Sequence, residues 1–558
     1  MAQMTNAAIY LAPDGYDTRG SKLMGRHSAG ESFLRGFIRH ADVEGLHFFN
    51  ALGRPVSELE ALVSQIQEPS LPVTWYGQRE RKQLVSAGCL YYPSPNLASE
   101  AWARRPFGPK LYSLCGITHT TASHRAMDAI AELTTAPLEP WDALICTSAA
   151  VRASVEVELA AVRSDLEERL GATRFPSPRL ATIPLGVNCS DFAPNPEQRT
   201  RWRAALNIPT DAIVALYVGR FNAVAKMNPA MMALALEASA KETGKDIYWI
   251  VAGWAATEEL AALHHAQTQA FCPSVHYRPV DGRPTDTRFS IWSAADFFIS
   301  FSDNVQETFG LTPTEAMAAG LPSIVTDWNG YRDTVRDGLD GFRIDTYAPR
   351  PGLGRDLAYA YANQWVPYEK YLAAAAQMTA IDLRAATQAV TALVTNPNLR
   401  AAMGASAARR AREFFDWSNI VPQYQALWAE LAEIRQQAST TLRTPTDDPR
   451  RLDPFTLFAA YPTGVLTPKT RVSVMPDITW SVAEERLRLP LGGVGRWALP
   501  SVAEMRQAFE FFSSHPYAEV TKLLATYPQQ RHPFIERGLL WLVKFGALEI
   551  TSPQELRP

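Results

Sequence analysis

Short apolar runs recur along the chain, and each is followed by a turn and then by a longer stretch with helical periodicity. Ala8-Ile9-Tyr10-Leu11, Leu71–Tyr76, Lys110–Gly116 and Ala143–Ser148 predict strands separated by helices. After the first of them comes a turn-rich loop, residues 13–32. A helical face then begins at Glu31 and runs to about Arg39, with Phe33, Leu34, Phe37 and Ile38 on one side. Strand, glycine-containing loop and helix in that order form the first unit of a Rossmann-like half.

The same rhythm returns further on. Ile213–Val218, Tyr248–Ala252, Val275–Val280, Ala294–Ser300 and Ser323–Thr326 predict a second set of strands. Pro194-Asn195-Pro196 punctuates the join between the sets. Residues 436–454 are polar and proline-bearing, as a linker is. Beyond them Ile535, Leu539, Leu542 and Val543 share one helical face, Gly546 stops that helix, and Leu548-Glu549-Ile550 predicts a short strand. A helix, a glycine and a strand at the end of a small, mostly helical module have the form of a winged-helix-like fragment. The expected division is 1–192, 193–435, a linker at 436–454, and an accessory module at 455–558.

Composition narrows the function classes. At 558 residues the chain exceeds a single core, which fits two to four domains. A net charge of −3 gives no general attraction to nucleic acid or to anionic membrane. From residue 441 on there are 14 Lys+Arg against 12 Asp+Glu, a balance of 14 − 12 = +2, which is no basic stripe. The module is therefore expected to bind protein or a second copy of the chain rather than nucleic acid. Cys89, Cys115, Cys146, Cys189 and Cys272 are scattered without a C-x-x-C pair, as reduced, mostly buried thiols of a cytosolic protein are. With no visible signal peptide and no apolar run long enough to span a bilayer, the expected location is the cytoplasm, with peripheral contact at the inner face of the membrane left open.

The candidate chemistry concentrates in Ser302–Val335. Glu307 and Glu315 stand there with seven residues between them. Thr312 suits an N-cap, Pro313 the first helical position, and Glu315 the carboxylate of a capping box. Gly310 lets backbone approach a ligand just ahead of that helix, where free N–H groups and the helix dipole favour an anion. A capped helix with no ligand is the competing reading. Arg220 directly follows the strand ending at Val218-Gly219, and Lys226 lies six residues on. Two cations at a strand end can neutralise a diphosphate and the charge that grows as its sugar bond breaks; as surface cations they would do nothing. His119 lies just past another strand end, with His124 as its competitor. Arg26 and His27 lie in the first loop. No Ser/His/Asp elbow, no G-x-x-x-x-G-K-[ST] loop and no zinc motif occurs.

The text ETFGLTPTEAMAAGLP resembles the E-x7-E motif of the family 4 retaining glycosyltransferases. The resemblance implies the α/β GT-B fold, two Rossmann-like domains facing a cleft, and it covers roughly the first 435 residues. It also implies roles. Glu307 faces the donor sugar and Glu315 holds the nucleotide ribose. Phe309, Gly310 and Leu311 offer backbone groups to sugar and phosphate, with Thr312 opening the helix. Arg220 and Lys226 meet the diphosphate, and His119 lies near the sugar. Gly30 belongs to a glycine pair beneath the phosphates, and Arg278 to the strand whose exit contacts the nucleobase. Trp141–Ser148, Ala181–Asn188 with Phe192, Gly338–Phe342 and a terminal crossover helix after Phe414 match as well. The chain departs from the pattern in four places. The glycine pair reads Ala29-Gly30, with Gly25 a second candidate. FNAVAKMN replaces the usual text around Lys226, and Asp327-Trp328-Asn329-Gly330 replaces a paired-glycine loop. Residues 345–380 are longer and more aromatic than the usual link, an inserted loop plus helix.

The implied activity moves a sugar from a nucleotide diphosphate donor to an acceptor hydroxyl, in glycan or cell-surface polysaccharide or glycolipid synthesis. Its partners are the nucleotide sugar and a glycan, lipid-linked or small-molecule acceptor. The sequence has no D-x-D pair, which fits a fold whose arginine, lysine and helix N-terminus stand in for a metal, so no metal or other cofactor is expected. A glycan phosphorylase, a nucleotide-sugar epimerase and a non-catalytic binding scaffold share the fold and remain alternatives.

Overall fold

A computed structural model describes residues 6–18, 25–439 and 448–551. Residues 19–24 of the first loop and 440–447 of the expected linker lie outside them. The chain divides into two compact units, Met1–Asp448 and Pro449–Pro558.

The first unit holds two parallel sheets. Strands β1 (Ala8–Tyr10), β2 (Leu46–Asn50), β3 (Val73–Gly77), β4 (Cys89–Tyr92), β5 (Ser113–Ile117), β6 (Ala143–Cys146) and β7 (Arg179–Thr182) pair in the order 3-2-1-4-5-6-7. Strands β8 (Ile213–Val218), β9 (Ile247–Gly253), β10 (His276–Asp281), β11 (Phe297–Ser300), β12 (Ser323–Thr326) and β13 (Gly341–Ile344) pair in the order 10-9-8-11-12-13. Counted from its own first strand, the second sheet repeats the 3-2-1-4-5-6 order of the first. Such an order reverses direction beside its first strand, and loops leaving the strand ends there part to open a crevice. The apolar runs lack alternation because both faces are covered: every residue of β5, β6, β9, β11 and β12 is buried.

The helix Trp417–Gln437 packs on the first domain, as the terminal crossover helix is expected to. Trp417, Tyr424 and Trp428 meet Phe33, Phe37 and Tyr91 in one aromatic cluster. Gly36 and Gly186 make room for it, since a Cβ on either would lie 2.3 or 2.4 Å from the Trp417 ring. Residues 345–380 differ from the expected loop plus helix. Strands β14 (Thr346–Tyr347) and β15 (Ala380–Ile381) pair antiparallel and enclose two helices, Arg355–Ala362 and Tyr368–Gln377. All five cysteines are buried and free.

The second unit is a three-stranded antiparallel sheet with helices. Strand β16 (Arg471–Val474) lies between β17 (Ala518–Glu519) and β18 (Leu548–Thr551). The helix His532–Lys544 buries Ile535, Leu539 and Leu542, and Gly546 leaves it at φ +66° to enter β18. The sheet's central strand, β16, precedes the other two in the chain.

Candidate active site

The two sheets of the first unit bound a cavity of about 590 Å³ lined by residues that follow the C-terminal ends of their strands. Its size is in the range of small-molecule sites, about 300–1,000 Å³. On the second-sheet side the wall is partly bare backbone. Gly219, Gly253 and Gly282 leave or end β8, β9 and β10. A Cβ on Gly253 would stand 1.8 Å from the Gly219 carbonyl oxygen, and one on Gly282 2.9 Å from the Gly253 Cα. Three glycines are what lets these loops stack so closely.

The loop after β8 is shaped by Asn222. Its side chain accepts from the Val224 and Ala225 amides at 3.0 and 2.8 Å, and its carbonyl accepts from the Lys226 amide at 3.0 Å. That turn aims Lys226, whose Nζ donates to Glu307 Oε2 at 2.5 Å. The Glu307 loop is held in turn by Asn329, which donates to the Glu307 carbonyl at 2.7 Å, and by Asn304, which donates to the Val224 carbonyl at 3.0 Å. Burial alone would raise the Glu307 carboxyl; Lys226 and the Thr308 and Phe309 amides more than offset it and hold it below the usual carboxylate range. Burial likewise opposes the Lys226 ammonium, and Glu307 restores it to above the ordinary lysine value. Arg220 lines the same wall with no side-chain partner among the described residues.

Gly310, at φ +92°, is the N-cap of the helix Leu311–Ala318. A Cβ there would meet the Tyr331 ring at 2.2 Å. No acceptor among the described residues takes the Gly310, Leu311 or Thr312 amides. Thr312 is thus the second helical residue rather than the cap, and Glu315 is the fifth, too far along to close a capping box. Glu315 lines the cavity instead, and burial pushes its carboxyl up to about 7 against the lowering charges of Arg288 and Lys226.

The first-sheet side contributes His119, two residues past β5. Burial first, then the charge of Arg26, lowers its pKa to about 4, against a hydrogen bond to the Pro93 carbonyl, so the ring is neutral near pH 7. The two walls are tied at Thr308. Its hydroxyl donates to the His119 carbonyl at 2.5 Å, and Ser148 Oγ donates to the Thr308 carbonyl at 2.7 Å.

Residues 198–377, which include Arg220, Lys226, Glu307 and Glu315, match the family described as Glycosyl transferases group 1. The match falls on the second sheet domain. D-inositol 3-phosphate glycosyltransferase of Geodermatophilus obscurus is 30% identical over 277 residues, 47% of this chain and 49% of that protein. The protein of that name from Xylanimonas cellulosilytica is 29% identical over 221 residues, 38% of this chain and 50% of its own. The chain thus spans about half the length of these curated relatives. A solved structure of Anabaena Alr3699/HepE in complex with UDP-glucose superimposes with a TM-score of 0.47 at 15% identity, covering 76% of this chain and 100% of that one.

Around the cavity, two expected positions fall elsewhere. Arg278 turns away from the cavity: its Nε donates to the Leu206 carbonyl at 2.9 Å and its guanidinium lies 5.2 Å from the Tyr248 ring centroid. The exit of β10 reaches the cavity through Gly282 and the helix Thr285–Ser290 instead. Gly30 sits inside the helix Gly25–His40, where a Cβ would stand 2.0 Å from the Gly15 carbonyl oxygen. Its smallness serves helix packing, and Gly25, Arg26, Ser28 and Ala29 line the cavity in its place. His27 is buried on that helix, and His124 is engaged outside the cavity by Tyr361. Sequence reasoning missed Arg288, Phe289, Tyr368 and Glu369, all of which line the cavity. Arg288 carried one legible signal, a cation beside an aromatic residue on the segment leaving a strand end. Tyr368 and Glu369 lie in the stretch that departed from the family pattern.

Proposed function

We propose that the protein is a retaining glycosyltransferase that moves a sugar from a nucleotide diphosphate donor to an acceptor hydroxyl. One observation carries this reading: an unpartnered Arg220, the Lys226–Glu307 pair and three unengaged amides at Gly310–Thr312 converge on one cavity. The amides and the positive end of the helix favour an anion, and the two cations add charge where a diphosphate departs. Glu307 restrains Lys226 and offers its other oxygen to a sugar hydroxyl. Glu315, as a carboxylate, accepts from the ribose hydroxyls. The bond between the anomeric carbon and the donor phosphate oxygen breaks, and the acceptor oxygen takes its place on the same face. The acceptor's proton passes to the departing phosphate oxygen. Neutral His119 lies beside the reacting sugar as a hydrogen-bonding group. On this reading the cations and the helix end do the work of a metal.

The relatives' names supply an acceptor class, an inositol phosphate, for those proteins. No helix among the described residues is long and apolar enough to cross a membrane, and work in the cytoplasm on a glycan or lipid-linked acceptor fits the reading. The test has two steps. UDP-, GDP- and ADP-sugars are screened for a rise in melting temperature, because a ligand that binds only the folded state stabilises it. The best donor is then assayed with Lys226→Ala. Turnover in that variant equal to wild type, with the fold intact, sinks the assignment.

A further inference from the structure

Residues 348–379 leave the second domain between β14 and β15 and reach across to the first. Tyr361, from the helix Arg355–Ala362, is buried against His124 of the first domain. Its hydroxyl accepts from the His124 amide at 2.9 Å, its carbonyl lies 3.2 Å from His124 Nε2, and the two rings are 3.8 Å apart. Tyr361 also stacks on Tyr371 at 4.4 Å and 7°. Leu372 is fully buried in a small cluster with Ala122 of the first domain and Ala225 of the loop that aims Lys226. The excursion is therefore a strap fastened to both walls.

The strap's second helix, Tyr368–Gln377, begins at the cavity, and its first two residues line it. The Tyr368 hydroxyl is 3.5 Å from Thr120 Oγ1, next to His119. Tyr368 lines the cavity together with His119, Thr120 and Arg220. Glu369 is exposed beside it, with no hydrogen-bond or ion-pair partner among the described residues.

We propose that Tyr368 and Glu369 form the acceptor-selecting wall, and that the acceptor they admit is a neutral polyhydroxylated ring, a sugar or cyclitol without phosphate. The inference rests on the transferase reading above. An acceptor hydroxyl approaching between His119 and Arg220 passes these two side chains. A phenol ring covers the C–H face of such a ring, and a free carboxylate accepts from two of its hydroxyls. The same carboxylate repels a phosphate, so selection works by exclusion as well as by attraction. Among the described residues that line the first-sheet side, the cation Arg26 is paired with Asp14 at 2.8 Å.

The experiment uses the full chain and the nucleotide sugar that most raises its melting temperature. Transfer to glucose, N-acetylglucosamine and myo-inositol is compared with transfer to glucose 6-phosphate and inositol 3-phosphate, alongside donor affinity by calorimetry and donor hydrolysis without acceptor. Wild type should prefer a neutral probe by about tenfold or more in kcat/KM. Glu369→Gln should shrink that preference, and Tyr368→Ala should raise the acceptor KM more than it slows donor hydrolysis, with Tyr368→Phe in between. A wild-type chain that binds donor but uses only the phosphorylated probes, or none of them, overturns the acceptor class. Unchanged acceptor KM and preference in both variants overturn the wall. A chain that binds no nucleotide sugar overturns the transferase reading itself, and this inference with it.

Discussion

The two sheet domains share one strand order and finish their strand ends differently. On the first domain Arg26, the described arginine that lines the cavity, is already paired with Asp14, and nearby Arg35 with Asp191 and Glu31. Its histidine is held neutral. On the second domain, among the described residues, Arg220 has no side-chain partner, Lys226 has a single one, and three helix amides are unengaged. The same topology thus makes one neutral wall and one positive wall. Topology sets where a ligand lies, and side-chain pairing sets which part of it each wall meets. On the proposed reading a diphosphate meets the second wall and an uncharged acceptor approaches from the first.

The sharpest way to break this asymmetry is to remove one cation from each wall. Lys226→Ala should slow transfer by about 100–1,000-fold, the scale of losing a group aimed at transition-state charge. Arg26→Ala, whose charge is already met by Asp14, should cost less than about tenfold by the same reasoning. Steady-state rates at saturating donor compare the two directly. Equal losses would mean that the charge difference between the walls does not matter to the chemistry.

Glycines give the next largest contrast. Gly310→Ala must adopt a left-handed backbone, at about 1–2 kcal/mol, and must also displace the Tyr331 ring. It should lower both the melting temperature and donor affinity, because that backbone is cavity wall. Gly30→Ala meets the Gly15 carbonyl and should lower the melting temperature while leaving donor affinity within about twofold of wild type, since Gly30 is not part of the wall. A large affinity loss in Gly30→Ala would restore that residue to the site.

These contrasts mark what the residues disclosed and what they withheld. The strands Ile213–Val218 and Ser323–Thr326 were legible to the residue, because a parallel strand covered on both faces reads as a short β-prone run between turns, without apolar–polar alternation. Lys226 and Glu307 were legible as separate candidates, but their mutual bond was not, since it depends on the turn made by Asn222. The N-cap was misplaced because Thr312-Pro313 is a good local start signal, whereas Gly310 wins through the packing of Tyr331. Arg278 came from the resemblance alone, which marks a strand exit but not where that side chain finds its partners, here the Leu206 and Tyr277 carbonyls. The strap was visible only as a departure, and nothing local in Tyr361 announces His124 as its neighbour.

Titration separates the walls in opposite senses. In the unfolded chain His119 protonates below its ordinary 6.5, while in the fold it stays neutral down to about 4. Its contribution to stability is present above pH 6.5 and is lost as pH falls toward 4. Glu315 does the reverse. Its folded carboxyl stays protonated up to about 7 against 4.5 unfolded, so the ligand-free protein loses stability as pH rises between those values. His119→Gln should flatten the acid limb of melting temperature against pH, and Glu315→Gln the limb from 4.5 to 7. Donor affinity should improve from pH 6 to pH 8 in wild type, as Glu315 becomes the acceptor that a ribose diol requires, and should be flat in Glu315→Gln. If that variant keeps the wild-type slope, another group titrates in the donor site.

The smallest effect should come from the residue that looked most like a nucleobase contact. Arg278 donates to the Leu206 and Tyr277 carbonyls and covers Tyr248, so two of its donors and its stem are engaged inside the second domain. Arg278→Ala should therefore lower the melting temperature by the loss of such bonds, about 0.5–1.5 kcal/mol each, while donor affinity by calorimetry stays within about twofold. Arg288→Ala is the matched control, because Arg288 does line the cavity and its charge acts on Glu315. It should weaken donor binding more than Arg278→Ala does, and by less as pH falls below about 7 and Glu315 takes up its proton. The reverse ranking would carry the positive wall out along β10, and the difference between the two domains would then lie in their strands as well as in the loops that leave them.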